Sequence, residues 1–249
     1  MENIINKVLD WVKSQSNIKG CISGSSLLEY FEGQDVDIFL YDEASFTKLL
    51  YAMYYNDMFT LIEPLEQWKF KEWTNGKRLG INKIGIVTIK MKYNLAVDVN
   101  IIYKKYANNI FSVLSSFDLD IVSKGYDLQT MEYLDLSKKD GKTAHWNKWN
   151  PAFYSDNIWD ISKLLRQFER CIKYHKRGYN TDNIVIKYQD MLHKLVEYES
   201  IFNSDKFDEK VKEMKKNAKI IDKIFNIWLS THEIDDETFE LLKVKIKLL

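Results

Sequence analysis

Two aspartates at alternate positions of a short apolar segment constrain the fold of this chain most. The segment Cys21–Leu40 reads CISGSSLLEYFEGQDVDIFL: an apolar strand that ends at Gly24, a helical turn or two, and a second strand that carries Asp35 and Asp37. Because strand side chains alternate between two faces, both carboxylates lie on one face, while the apolar residues between and after them point into a core. The segment therefore predicts a sheet with one buried face and a carboxylate pair on the other.

The carboxylate pair has the composition of a magnesium site. Two like charges at close range repel each other unless a cation lies between them. Mg²⁺ takes one or two carboxylates and fills its remaining positions with water and substrate phosphate. A solvated strand edge is the alternative for Asp35 and Asp37, but the apolar strand residues around them favour the metal site.

The glycine before this strand indicates a phosphate site. A strand-to-helix corner without a Cβ lets the backbone approach a ligand closely, and the first N–H groups of the next helix are unpaired donors. Ser25 and Ser26 add hydroxyl groups directly after Gly24. An ordinary turn is the alternative for this corner.

A third acid lies in a later apolar strand, LAVDVNII, where Asp98 alternates with buried-type residues. A carboxylate in such a strand needs a partner that offsets its desolvation, and a shared metal would provide one. A rival pair, Asp118 and Asp120, also shares a strand face if Phe117–Leu136 forms a hairpin. No glycine corner precedes that pair, so Asp120 is only the replacement for Asp98.

The order of these residues resembles the DNA polymerase β superfamily of nucleotidyltransferases. The resemblance rests on Gly24-Ser25, nine further residues, then Asp35 and Asp37 before an apolar residue, with Asp98 in a later strand. It covers roughly the first half of the chain. It implies a small mixed sheet backed by helices.

The resemblance also implies an activity. The expected reaction transfers a nucleotidyl group from a nucleoside triphosphate, such as ATP, to an acceptor hydroxyl and uses two Mg²⁺ ions, with Mn²⁺ as an alternative. Asp35 and Asp37 would hold both ions, and Asp98 would bind the ion that activates the acceptor. The corner of Gly24 and the two serines would cradle the β and γ phosphates. The acceptor, whether nucleic acid, protein or small molecule, stays open.

Composition sets wider limits. The chain has 249 residues, of which 45% are apolar, and this allows one large or two modest domains with a buried core. Basic and acidic side chains are equal in number (36 each), so no overall positive charge indicates nucleic-acid binding. Two cysteines indicate neither a disulfide framework nor a zinc site. With no signal peptide and no spanning segment, we expect a cytoplasmic protein without a membrane partner.

Periodicity predicts an α+β fold in two parts, residues 1–140 with strands and helices and an all-α helical bundle over 151–249. The resemblance implies that the part over 1–140 is a nucleotidyltransferase core with a small mixed sheet backed by helices. Apolar spacing predicts elements in the first part as helices over 3–14 and 43–55, a strand and turn over 68–76, and a hairpin of 84–92 with 95–103. In the second part it predicts helices over 155–176, 181–201, 207–229 and 236–248. His145, Trp146 and Trp149 in the connection either stack on a base or pack the joint.

The first helix of the second part carries a row of five cations: Lys163, Arg166, Arg170, Lys173 and Arg177. Like charges at steps of three and four destabilise a helix by roughly 0.2 to 0.5 kcal/mol per pair, so an anion could compensate. Lys163, Arg166 and Arg170 are therefore candidate ligands of the triphosphate, and a solvated face is the alternative.

Two other functions remain open. The chain could be a nucleotide- or RNA-binding module whose metal site is inactive or only senses nucleotide. More weakly, Arg170, four residues and His175 resemble the pattern of the helical HEPN ribonucleases, although no polar residue directly follows Arg170.

Overall fold

The computed structural model divides the chain into two compact units. It describes residues 2–15, 17–28, 35–61, 84–91, 98–104, 107–138, 141–150, 161–202, 208–235 and 237. The first unit comprises Met1–Gly141 with Trp146–Tyr154, and the second comprises Lys142–His145 with Ser155–Leu249. The chain thus passes from one unit to the other, and briefly back, between residues 141 and 155.

The first unit contains a seven-stranded mixed sheet. Its strands are β1 (Gly20–Ser23), β2 (Asp35–Leu40), β3 (Phe59–Leu61), β4 (Ile84–Met91), β5 (Asp98–Lys104), β6 (Lys124–Asp127) and β7 (Tyr133–Asp135). Their order across the sheet is β3-β4-β5-β2-β1-β6-β7. Only β2 and β5 pair in parallel, and the other described neighbours pair antiparallel.

Two long helices back one face of this sheet, and a short one covers part of the other. They are α1 (Glu2–Ser14), α2 (Glu43–Tyr54) and α3 (Ile110–Leu114). Helix α2 begins where the Asp42 carboxylate accepts a hydrogen bond from the Ser45 amide at 2.7 Å, an N-cap that satisfies one of the unpaired donors. The helices predicted from apolar spacing over 3–14 and 43–55 are thus confirmed as α1 and α2.

The strand alternation of β2 separates two cores. Val36 and Ile38 are fully buried beneath α1 and α2, against Leu49 and Met53 of α2. On the opposite face a second apolar cluster joins the far end of β2 to α3. The start of β2, with its two aspartates, lies beyond this second cluster.

The second unit consists of helices α4 (Ile161–Lys176), α5 (Asp182–Phe202) and α6 (Asp208–Thr231). Phe168 of α4 packs edge-on against Phe225 of α6 with ring centroids 4.8 Å apart. A mixed sheet with helices followed by a helical unit confirms the predicted α+β class. Among the described helices, none has both the length and the apolar character to cross a bilayer.

Gly178 ends α4 as its position predicted. Its φ of +86° is a left-handed conformation that favours glycine. The Gly178 amide donates to the His175 carbonyl at 2.8 Å, and the Tyr179 amide donates to the Tyr174 carbonyl at 3.1 Å. This pair of bonds is the Schellman motif.

The predicted hairpin over 117–136 is only partly correct. Strands β6 and β7 pair across a turn at 128–130, but Asp120–Val122 form a 3₁₀ helix instead of a strand. Asp118 and Asp120 therefore do not share a strand face, and both are buried. The Asp120 carboxylate accepts a hydrogen bond from the Lys138 amide at 3.3 Å. The predictions over 68–76, 95–97, 155–160 and most of 236–248 fall outside the described residues.

Candidate active site

The parallel pairing of β2 with β5 brings the acidic residues to neighbouring positions. Asp35 lies opposite Asp98, and Asp37 lies opposite Asn100. Neighbouring strands are about 4.8 Å apart, and residues in register point to the same face. The four polar side chains are half-buried, whereas Val36 and its partner Val99 are fully buried on the other face.

Asn100 binds one of the carboxylates. Its Nδ2 donates a hydrogen bond to Asp37 Oδ1 at 2.9 Å. The sequence pattern did not single out Asn100, although its alternation with Asp98 matches that of Asp35 with Asp37. Strand order was the missing information, because only the parallel register brings the two pairs side by side.

The glycine corner contacts the same carboxylate from the other side. Gly24 has φ +106° and ψ −159°, and a Cβ built on it would stand 2.9 Å from Asp37 Oδ2. The preceding residue, Ser23, pairs with Asp37 across the antiparallel β1–β2 ladder. Glycine is therefore required at this corner both by its backbone conformation and by the close carboxylate.

The turn after the corner is shorter than expected. Ser25–Leu27 form a single 3₁₀ turn, so a helix dipole contributes little here. Ser25 and Ser26 are buried, and Ser26 Oγ has no hydrogen-bond partner within the described ranges. A buried hydroxyl without a partner is costly, so a ligand that binds it would be stabilised.

The sheet face that carries Asp35, Asp37 and Asp98, called here the acidic face, also contains an unsatisfied carboxylate. Asp98 Oδ1 is buried and accepts no hydrogen bond from the part of the chain that the structure describes. Two carboxylates one strand spacing apart repel by roughly 3 kcal/mol at an effective dielectric constant of about 20. A cation near Asp98 and Asp35 would offset both costs.

The acidic side chains have the chemistry of a magnesium site without forming a closed ligand set. Over the described residues, no three His, Cys, Asp or Glu side chains are arranged to hold one ion. Mg²⁺ needs only one or two carboxylates from the protein, since water and phosphate complete its octahedron. The oxygen donors of Asp35, Asp37 and Asp98 therefore fit this ion.

The basic row lies on α4, in the second unit. Lys163 and Arg166 belong to this helix, and their side chains are outside the described part. The Arg170 guanidinium lies 5.9 Å from the ring centroid of Tyr174, and that of Arg177 lies 5.7 Å from the same ring. The row thus includes two arginines that share one tyrosine.

A histidine pair joins the ends of the helices in the second unit. The rings of His175 and His232 are stacked with centroids 4.5 Å apart and an interplanar angle of 2°. His232 Nε2 lies 2.9 Å from Asp182 Oδ1. Burial lowers the pKa of His175, the adjacent His232 lowers it further, and Asp182 partly opposes them. Protonation of His175 is therefore disfavoured in the folded protein.

No family model and no curated protein matches this chain. Among solved structures, the chain is similar to the Thermotoga maritima CCA-adding enzyme complexed with tRNA. The two share 14% identity, the match covers 99% of this chain and 67% of that one, and the TM-score is 0.44. At these values the likeness carries no conclusion about activity.

Proposed function

We propose that this protein is a nucleotidyltransferase that moves a nucleotidyl group from a nucleoside triphosphate to an acceptor hydroxyl and releases pyrophosphate. The observation that carries the proposal is the register of β2 with β5, which sets Asp35 opposite Asp98 beside a glycine corner in contact with Asp37. Acids and corner come from three separate strands yet meet on one sheet face. That convergence is what a phosphoryl-transfer site needs.

The acidic side chains would hold two Mg²⁺ ions. Asp35 and Asp37 would be shared ligands, and Asp98 would complete the side that faces the acceptor. When bound, the ions stabilise the attacking and leaving oxygens of an in-line displacement. Asn100 would orient Asp37 through its hydrogen bond to Oδ1. Asp98 Oδ1, which accepts no bond from the described residues, would be available to take the acceptor's hydroxyl proton.

The corner would bind the donor's phosphates. With no side chain on Gly24, the backbone leaves room beside Asp37, and the hydroxyls of Ser25 and Ser26 would donate to the β and γ oxygens. Lys163, Arg166 and Arg170 of α4 stay predicted ligands of the triphosphate, on the strength of their cationic row in the sequence. Each charge-assisted contact of this kind contributes roughly 1.5 to 3 kcal/mol.

Incubation with each α-phosphate-labelled nucleoside triphosphate, Mg²⁺ and pools of RNA, protein and small-molecule acceptors tests the proposal. Label should move to an acceptor with the wild type, and Asp37→Asn should lower the rate by orders of magnitude while the fold is retained. Asp57→Asn, which changes an exposed acid after α2, is the matched control. Undiminished transfer by a folded Asp37→Asn protein would overturn the assignment.

A binding module is the second candidate. It would use the same acids to hold a metal ion that is inactive or only senses nucleotide. In that case calorimetry would detect nucleotide binding that depends on Mg²⁺, while no label would move to any acceptor.

A further inference from the structure

The loop over 146–150 is anchored to α3 by a buried asparagine. Asn147 is fully buried, and its Nδ2 donates to the Leu114 carbonyl at 2.8 Å and to Ser123 Oγ at 3.0 Å. The backbone N–H of Asn147 donates to the Asp118 carbonyl at 2.9 Å. These bonds hold the middle of the loop in one position.

A second asparagine anchors the end of the loop. Asn150 Nδ2 donates to the carbonyls of Ser116 and Phe117 at 2.8 and 3.0 Å. The last carbonyls of a helix lack partners within it, and the two asparagines satisfy groups at and just beyond the end of α3. The two asparagine side chains thus anchor the middle and the end of the loop.

The anchored loop presents an aromatic pair to solvent. Trp149 is 46% exposed and Phe111 of α3 is 42% exposed, with ring centroids 5.5 Å apart at 72°. Lys148 Nζ lies 4.9 Å from the Trp149 ring centroid. Trp146, by contrast, is half-buried, and its backbone forms a bridge with Leu119 within the first unit.

The start of α3, next to Phe111 in sequence, lies near the acidic face. A Cβ on Gly125 would stand 3.4 Å from Ile110 Cδ1, so the start of α3 lies over β6. Gly125 pairs with Ser23, which pairs with Asp37. Two strand spacings, about 10 Å, therefore separate Gly125, against which Ile110 packs, from strand β2 with its aspartates.

We propose that Trp149, Phe111 and Lys148 form a stacking platform for single-stranded nucleic acid. Bases stack on aromatic rings whatever their sequence, and a lysine at the ring supplies the counter-charge for the phosphate of the same nucleotide. Neither 107–117 nor 146–150 contains an acidic residue, so the platform has a formal charge of +1 from Lys148. The bound strand would be the acceptor of the transfer reaction, and this last step alone rests on the proposed function.

Fluorescence anisotropy with a labelled single-stranded RNA of about 12 nucleotides, within the site size of roughly 4 to 16, tests the platform on the full chain. Trp149→Ala should weaken binding by about fivefold to a hundredfold, and Trp149→Phe should restore most of it. Lys148→Ala should reduce the salt dependence. Tyr55→Ala, which removes an aromatic ring that is 77% exposed elsewhere in the first unit, should change nothing.

Three results would overturn the platform: no binding by the wild type, equal binding by Trp149→Ala, or a self-associated wild type that Trp149→Ala makes monomeric. The last would make the aromatic pair an interface between copies. The failure of the proposed function looks different. In that case RNA binds through Trp149 in both wild type and Asp37→Asn, but neither protein transfers label.

Discussion

Gly24→Ala should destabilise the first unit and disturb the acidic site together, because one added methyl group causes two separate problems. The φ of +106° with ψ of −159° belongs to a backbone region essentially restricted to glycine. The new Cβ would also stand 2.9 Å from Asp37 Oδ2, which is closer than real Cβ contacts. Asp37 would then have to turn away from the hydrogen bond that Asn100 donates.

The two costs can be estimated separately. Backbone strain of this kind costs about 1 to 3 kcal/mol, and a hydrogen bond to a charged group contributes about 1.5 to 3 kcal/mol. Their sum is about 2.5 to 6 kcal/mol, and the lower half applies because Asp37 is half-exposed. Gly141→Ala is the matched control: φ is +62° and a Cβ there meets nothing within 4 Å, so only strain of about 1 to 2 kcal/mol is expected.

A double-mutant cycle in urea separates the terms. The free energy of unfolding is measured for Gly24→Ala in the wild-type background and in Asp37→Ala, which lacks the crowded oxygen. The values are compared where the m-values of the variants agree. In the Asp37→Ala background the cost should fall to the strain alone, which leaves a coupling energy of about 1.5 to 2 kcal/mol.

Equal costs of Gly24→Ala in both backgrounds would refute the contact between the corner and Asp37. A cost no greater than that of Gly141→Ala would refute the whole explanation. In either case Gly24 would be an ordinary turn residue.

Three further predictions follow from single contacts. The pKa of His175 lies below its ordinary value of about 6.5, so the unfolded state binds the proton more readily and the free energy of unfolding should fall as pH drops below about 6.5. His175→Phe should make the melting temperature depend less on pH in this range. An unchanged slope in the variant would contradict the prediction. Burial lowers the pKa of Lys104 to about 8, so at pH 7 the folded protein holds a charged, partly desolvated ammonium that reduces stability. This cost disappears as pH rises from about 8 to 10.5, because the folded state loses the proton before the unfolded state does. Lys104→Met should therefore raise the urea midpoint at pH 7 more than at pH 10.5. Asn147→Ala should cost about 1 to 3 kcal/mol in urea, because it leaves the buried Leu114 carbonyl without its partner, whereas a neutral result would mean that water replaces the amide.

The sequence predicted the elements whose causes are local. Alternation around Asp35 and Asp37 predicted both the strand and its buried face, and Gly178 predicted the end of α4, because these depend on neighbouring residues alone. The hairpin of β4 with β5 was likewise recognisable from two β-rich runs close together in sequence. The metal and phosphate roles of these residues stay predictions.

Other features depend on contacts between distant residues. The alternation of Asp118 and Asp120 is compatible with a strand, yet Asp120 begins a 3₁₀ helix and its carboxylate binds the Lys138 amide. A pattern of two residues is too short to exclude such tertiary bonds. Asn100 was missed for the same reason, since its bond to Asp37 requires the parallel register of two strands far apart in the chain.

That parallel pairing also has a kinetic consequence. The bond between Asp37 and Asn100 closes a separation of 63 residues, for which loop closure costs about 4 kcal/mol of chain entropy before any contact compensates it. Helices α1 and α2 and the β4–β5 hairpin close much shorter loops and should form earlier. We therefore expect the amides of β2 and β5 to gain protection late in pulse-labelled hydrogen exchange during refolding. The acidic residues would then come together only when the two halves of the sheet join.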